Sequence, residues 1–140
     1  LSARFGTPFS GRPDSFSIEY KYFPGAAMEN GFGNLIQGSD SLDIVVLLED
    51  RNSQPVKRVA TAWYRSPEEV TEWTTLKLKL EYGPLVSPRP FEVPIPPKVW
   101  GTGEERPTHI SVILTGSARG NVFEGAPGSK LHVNNFRLYY

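Results

Sequence analysis

Cysteine is absent from the 140 residues. Its absence excludes a disulfide framework, a thiolate nucleophile and a cysteine-ligated zinc, and it leaves the redox compartment open, because exported proteins also do without it. A charge of one sign is missing too, since 15 Lys and Arg face 15 Asp and Glu. With no net field to gather polyanions, nucleic acid is not an expected partner. No apolar run approaches the ~20 residues that a membrane-spanning helix needs, and the longest, 44–48, suits a buried strand.

Catalytic signatures are equally scarce. His109 and His132 stand on strand-like segments with no H-x-H or H-x-x-x-H spacing, so they do not form a metal pair. No Ser occupies a G-x-S-x-G elbow, and Gly31-Phe32-Gly33 lacks the further Gly and helix of a phosphate loop. A glycosidase sets two carboxylates roughly 5 to 10 Å apart across a cleft. The acidic pairs here, Glu68-Glu69 and Glu104-Glu105, are adjacent in polar turns and read as solvated surface. The chain therefore reads as a binding or structural module without a cofactor, not as an enzyme.

What is abundant is turn and strand chemistry: 13 Gly, 13 Pro and 12% aromatics, spread along the chain. At 15.6 kDa the chain fits one domain with a substantial core. It begins at Leu1, not Met, with no signal-like segment, so it is expected to be the C-terminal part of a longer polypeptide.

Phe16, Ile18, Tyr20 and Tyr22 alternate with Ser15, Ser17, Glu19 and Lys21, the period-two pattern of a half-buried strand. A Gly-rich loop of about 16 residues follows, long enough to suggest function or mobility. Residues 42–49 are apolar on both faces, as in a central strand covered on each side. Asp50-Arg51-Asn52-Ser53 turns the chain, and 56–64 makes a hairpin partner, with Val56, Ala60, Ala62 and Tyr64 on one face and Lys57, Val59, Thr61 and Trp63 on the other.

Ser66-Pro67-Glu68-Glu69 has the order of a helix N-terminus with room for about one turn. In 73–82 the residues Leu76, Leu78, Leu80 and Tyr82 oppose Lys77, Lys79 and Glu81. The Pro-rich stretch 84–97 cannot be a central strand and reads as an extended crossover with an edge strand near 91–95. A closing pair of strands, 108–115 and 130–140, completes the chain. In the second, Leu131 and Val133 share one phase and Phe136, Leu138 and Tyr140 the other, which predicts a bulge at Asn134-Asn135. With short extended pieces at 3–5 and 91–95, no proper helix and no internal repeat, the fold class is all-β, an antiparallel β-sandwich of jelly-roll type.

Phe5-Gly6-Thr7-Pro8-Phe9-Ser10-Gly11-Arg12-Pro13 followed by Tyr20-Lys21-Tyr22 forms one motif group. Gly116-Ser117-Ala118-Arg119-Gly120, Phe123-Glu124-Gly125-Ala126-Pro127-Gly128-Ser129 and Val133-Asn134-Asn135-Phe136-Arg137-Leu138 form a second. In this order they resemble the putative carbohydrate metabolism domain of Bacteroidetes surface lipoproteins, over nearly the whole chain. The resemblance implies a jelly roll similar to carbohydrate-binding modules, on exported outer-membrane proteins of glycan utilisation. That family's domain is usually longer at its N-terminal side, so strands of the sandwich lie outside this chain or come from another chain. Where similar jelly rolls hold a structural calcium with an acidic residue, this sequence has Asn134, which keeps an oxygen and loses the charge.

Sugar binding calls for aromatic faces against pyranose C–H surfaces and polar groups for the hydroxyls. The candidates are Trp63, Tyr64, Arg65, Trp73, Tyr82 and Trp100, with Glu72, Lys77 and Asn34 as further polar partners, and Trp63 leads them. The leading expectation is a non-catalytic carbohydrate-binding module at the bacterial cell surface. The alternative is a structural or adhesion domain whose exposed sheet edge pairs with a partner chain. The segment 108–140 reads as scaffold, with function between Trp63 and Trp100.

Overall fold

The computed structural model describes residues 6–120 and 124–140, so the extended piece expected at 3–5 lies outside the described residues. The described chain is almost entirely β. Its strands are β1 (Thr7–Pro8), β2 (Ser15–Phe23), β3 (Met28–Glu29), β4 (Leu35–Ile36), β5 (Leu42–Asp50), β6 (Lys57–Ser66), β7 (Val70–Lys79), β8 (Glu81–Tyr82), β9 (Val99–Trp100), β10 (His109–Thr115) and β11 (Lys130–Tyr139). One sheet has the order β1-β10-β5-β6-β8, with β9 also beside β6. The second has the order β11-β2-β7, and β3-β4 is a small separate ribbon. The all-β sandwich is therefore as the strand patterns indicate.

Alternation explains the core. From β2, Phe16, Ile18, Tyr20 and Tyr22 point inward and meet Leu42, Ile44, Val46 and Leu48 of β5 together with Val59, Ala60 and Ala62 of β6. Each large side chain so buried stabilises the fold by roughly 1.5–3 kcal/mol relative to exposure. The hairpin of β5 and β6 is antiparallel as anticipated, pairing Leu42 with Ser66 and Val46 with Ala62.

Several expectations need correction, and each has a long-range cause. The register shifts between Leu48 and Glu49, which turns Val59 into the core and puts Arg58 opposite Glu49 on the outer face. Strict alternation had placed Val59 outside. No helical turn forms at Ser66-Pro67-Glu68-Glu69; the Ser66 hydroxyl instead accepts the Glu68 amide at 3.2 Å, and the chain reverses directly into β7.

The run 73–82 is not one strand. Its first part is β7, starting at Val70, and the Leu80 amide then bonds the Asp14 carbonyl at 2.9 Å while the chain crosses to the other sheet as β8. Leu80 is buried at the crossing. The edge strand expected near 91–95 is replaced by a 3-10 turn at Pro90–Glu92, and the extended contact falls later, where β9 runs parallel to β6.

The closing strands do not pair with each other. β10 pairs with β5 and β11 pairs with β2, so the loop between them bridges the two sheets. The predicted bulge is present, with a register shift between Asn134 and Arg137 and Asn135 in the left-handed region at φ 53°. Asn is among the few non-glycine residues that tolerate this region.

Candidate functional site

The outer faces of the two sheets differ completely. On the larger sheet, Asp43, Val45, Leu47 and Glu49 of β5 point away from the core, yet all four are buried. The Pro-rich segment covers them. Trp63 packs on Phe91 with ring centres 5.5 Å apart, and the Arg65 guanidinium lies 3.7 Å from the Phe91 ring centre. Arg65 also grips Asp43 through paired bonds of 2.7 and 2.8 Å.

Ionic contacts pin the same cover further along. Glu49, 3% exposed, takes Lys98 at 3.0 Å and Arg51 at 3.1 Å. Arg58 is buried, hydrogen-bonded to the Glu92 carbonyl and set against the Trp100 ring. Burial pulls the Arg58 pKa down from its ordinary value, and the charges of Glu49 and Glu92 pull it back up. A hydrogen bond from Arg89 holds the Glu92 carboxyl below the usual carboxylate range, against the opposing effect of its burial.

The outer face of β11-β2-β7 has no such cover. Its rows follow from register: Ser15 lies between Tyr139 and Lys79, Ser17 between Arg137 and Lys77, and Glu19 between Asn134 and Thr75. Lys21 stands opposite His132 with its ammonium 5.0 Å from the Trp73 ring centre, and Phe23 stands opposite Lys130. Trp73 is 48% exposed. Lys77 caps the Tyr139 ring at 4.5 Å, and the Tyr139 and Ser17 hydroxyls are 2.9 Å apart.

Asn135, displaced by the bulge, donates to the Glu19 carboxylate. Between these groups opens a recess of about 190 Å³ lined by Ser17, Glu19, Thr75, Asn135, Arg137 and Tyr139. Aromatic faces beside hydrogen-bonding groups on an open sheet are what a saccharide chain can lie against.

A buried carboxylate organises the loop that links the sheets. Asp40, 2% exposed, accepts from the Ser117 hydroxyl at 2.7 Å, the Ser129 hydroxyl at 2.6 Å and the Ala126 amide at 2.9 Å through one oxygen, and from the Ser41 amide at 3.0 Å through the other. A Cβ on Gly125 would meet the Ser117 hydroxyl oxygen at 3.1 Å. The Ser, Gly, Ala and Ser of the late motif are thus the shell of Asp40. Sequence reasoning missed Asp40, because its partners lie 77 to 89 residues away.

Beside this loop the buried Tyr22 hydroxyl donates to the Gly116 carbonyl at 2.8 Å. Burial, with the Asp40 charge adding to it, pushes the Tyr22 pKa up to about 12 from 10.0. A raised acid pKa means the folded state prefers the proton. Stability from this group is therefore whole below about pH 10 and is lost as pH climbs towards about 12, by up to ~2–3 kcal/mol. Urea midpoints between pH 8 and 12 are expected to fall in that window and to fall less in Tyr22→Phe. An identical alkaline slope in the variant would contradict the assignment. Tyr20 and Tyr82, also raised by burial, supply the rest of the slope.

The structure separates the sequence-derived site residues. Trp63 and Arg65 lie beneath Phe91 on the covered face. Tyr64 points inward, edge-on to Tyr20. Tyr82 also points inward, its hydroxyl on the Pro13 carbonyl at 2.6 Å and its ring under Arg12. Trp100 sits on β9 against Arg58. Trp73 and Lys77 belong to the open face, Glu72 sits in the irregular stretch beside Trp73, and Asn34 bonds within the small ribbon's turn. Asn134 stands opposite Glu19. Among the described residues no group of three or more His, Asp or Glu side chains converges to hold a metal.

No curated protein matches the chain. Among solved structures it is similar to a putative glycoside hydrolase from Bacteroides thetaiotaomicron, with TM-score 0.71 and 24% identity over 99% of this chain and 41% of that one. It is also similar to a putative glycoside hydrolase from Bacteroides vulgatus, with TM-score 0.70 and 25% identity over 96% of this chain and 55% of that one. The chain thus spans about half the length of these solved proteins or less. The family model described as putative carbohydrate metabolism domain matches residues 1–139, and the chain belongs to that family.

Proposed function

We propose that this domain binds glycan chains without cleaving them, on the outer face of β11-β2-β7. One observation carries the reading: this face stays open and presents Trp73, Tyr139 and a polar recess, while the other sheet's outer face is sealed by the Pro-rich segment. From the row of Trp73 to that of Tyr139 the face runs roughly 20 Å along the strands, enough for several sugar units. Hydrolysis of the ordinary kind needs two carboxylates, and Glu19 is the one that lines the recess. Membership of a carbohydrate family supports a glycan as ligand. The family resemblance supports an exported, outer-membrane setting, which protease accessibility on intact cells would check.

A glycan array tests the site. Trp73→Ala is expected to weaken binding at least tenfold, the loss of about 1.4 kcal/mol, while Trp63→Ala and Trp100→Ala change it less than about twofold. Loss with Trp63→Ala and none with Trp73→Ala would move the site beneath the Pro-rich segment.

A second reading, pairing through a sheet edge with a neighbouring copy of the chain, is favoured by a different observation. On the flank where β10 and β11 are edge strands, Val112, Leu114, Val133 and Phe136 are exposed, and the two-residue β1 covers only the His109–Ile110 end of β10. A stable oligomer by sedimentation together with no glycan binding would select this reading over the first.

A further inference from the structure

This inference rests on the glycan-binding reading and names the ligand's charge. We infer that the glycan held on β11-β2-β7 is anionic, a polymer carrying carboxylates or sulfate esters. The chain as a whole has no net charge, yet the paired rows of this face carry Lys21, Lys77, Lys79, Lys130 and Arg137 against one carboxylate, Glu19, and the three strands hold one further acid, Glu72, in the irregular stretch beside Trp73. That carboxylate is already engaged by the Asn135 amide.

The contrast with the covered sheet is the argument. There Arg51, Arg65, Arg89 and Lys98 each have a carboxylate partner. Among the described residues, none of Lys21, Lys77 and Arg137 forms an ion pair. Two of these cations are seated against the aromatic platforms, Lys21 at Trp73 and Lys77 at Tyr139. A sugar stacked on either ring brings its ring substituents beside an ammonium group. A hydroxyl gains one hydrogen bond there, whereas a carboxylate or sulfate gains a charge-assisted one, roughly twice as strong. Lys21 and the Lys77–Arg137 row lie roughly 13 Å apart along the strands, so the cations would meet charges repeated along a chain. Nucleic acid is the less favoured polyanion, because the chain has no overall positive field to gather it.

The experiment compares polygalacturonate with its fully methyl-esterified form, which keeps the backbone and removes the charge. Dextran sulfate against dextran forms the sulfate arm, and duplex DNA serves as a non-saccharide polyanion. Affinity is measured calorimetrically at low and high salt for the wild-type domain and for Lys21→Gln/Lys77→Gln/Arg137→Gln, whose melting temperature reports its fold. At least one charged polymer is expected to bind ten times tighter than its neutral counterpart, with the preference lost in the folded triple variant and weakened by salt. The tighter of the two charged polymers says whether carboxylate or sulfate is recognised. Equal binding of charged and neutral forms would overturn the anionic assignment and leave glycan binding standing. DNA bound as tightly as the best polysaccharide would overturn it as well. Failure to bind any glycan, charged or neutral, on a broad array would overturn the underlying function instead.

Discussion

Replacing Asp40 with alanine is expected to lower stability by about 3 kcal/mol, near 10 °C in melting temperature for a domain of this size. The side chain is 2% exposed and accepts hydrogen bonds from Ser117, Ser129, Ala126 and Ser41. Truncation removes the acceptor and leaves the donors in a space that water does not easily fill. Removing one side of a buried polar cluster costs more than the cluster's net worth, because the remaining groups keep their desolvation penalty. Asp40→Asn should fall between, since one amide group must face donors. Thermal unfolding by circular dichroism decides the matter. A shift below about 2 °C for Asp40→Ala would mean that the linking loop holds itself together by other contacts.

Glu49→Ala is expected to cost a similar ~3 kcal/mol, and for a different reason. Glu49 faces Lys98 and Arg51 and lends its charge to the buried Arg58. Without it Arg58 retains a buried charge with less compensation, and the Pro-rich cover loses the Lys98 pin. Arg58→Met in the same background should recover part of the loss, since a buried cation without a partner is worse than an apolar side chain of similar length. The cover's loosening is read separately from Trp63, which lies under Phe91: its emission should shift to the red in Glu49→Ala. Additive single and double variants, with unchanged emission, would show that these charges neither couple nor hold the cover.

Much of the sandwich was legible because one side of each strand meets the core and the other meets water. β2 shows this from Phe16 to Tyr22, with Phe16, Ile18, Tyr20 and Tyr22 buried and Glu19 and Lys21 partly exposed; Ser17, bonded to the Tyr139 hydroxyl, is the outward residue that is buried. β5 could be recognised as covered on both faces, but not by what, because the covering turn at Pro90–Glu92 is held by contacts with distant strands. The crossing from β7 to β8 was invisible since inward alternation continues through it: Leu80 still bonds Asp14, one step beyond the Ser15–Lys79 pair, and Glu81 and Tyr82 then pair with Thr61 and Ala60 of the other sheet.

The candidate site was less legible. Aromatic and basic residues of the right kind could be picked out, but which of them share a surface depends on strand pairing. One constraint was available from local geometry alone. Trp63 and Tyr64 are consecutive in a strand, so they face opposite sides and cannot line one site. The contribution of β11 to the open face, from His132 to Tyr139, follows only from its pairing with β2.

The bulge at Asn134-Asn135 has a consequence for how this strand can vary in length. Leu131 and Val133 keep one phase and Phe136 and Leu138 the other, and both sets fall on the core side of the sheet because the bulge accommodates the odd residue, with Leu131 and Leu138 packed on the core and Phe136 stacked on Phe16 at its margin. Losing a single residue there would turn half of β11 over, burying Arg137 and Tyr139 and sending Phe136 and Leu138 outward. Loops elsewhere can lengthen or shorten at little cost. Here the number of residues is itself part of the specification, and insertions or deletions at the Asn pair would be tolerated only in compensating sets that restore the count.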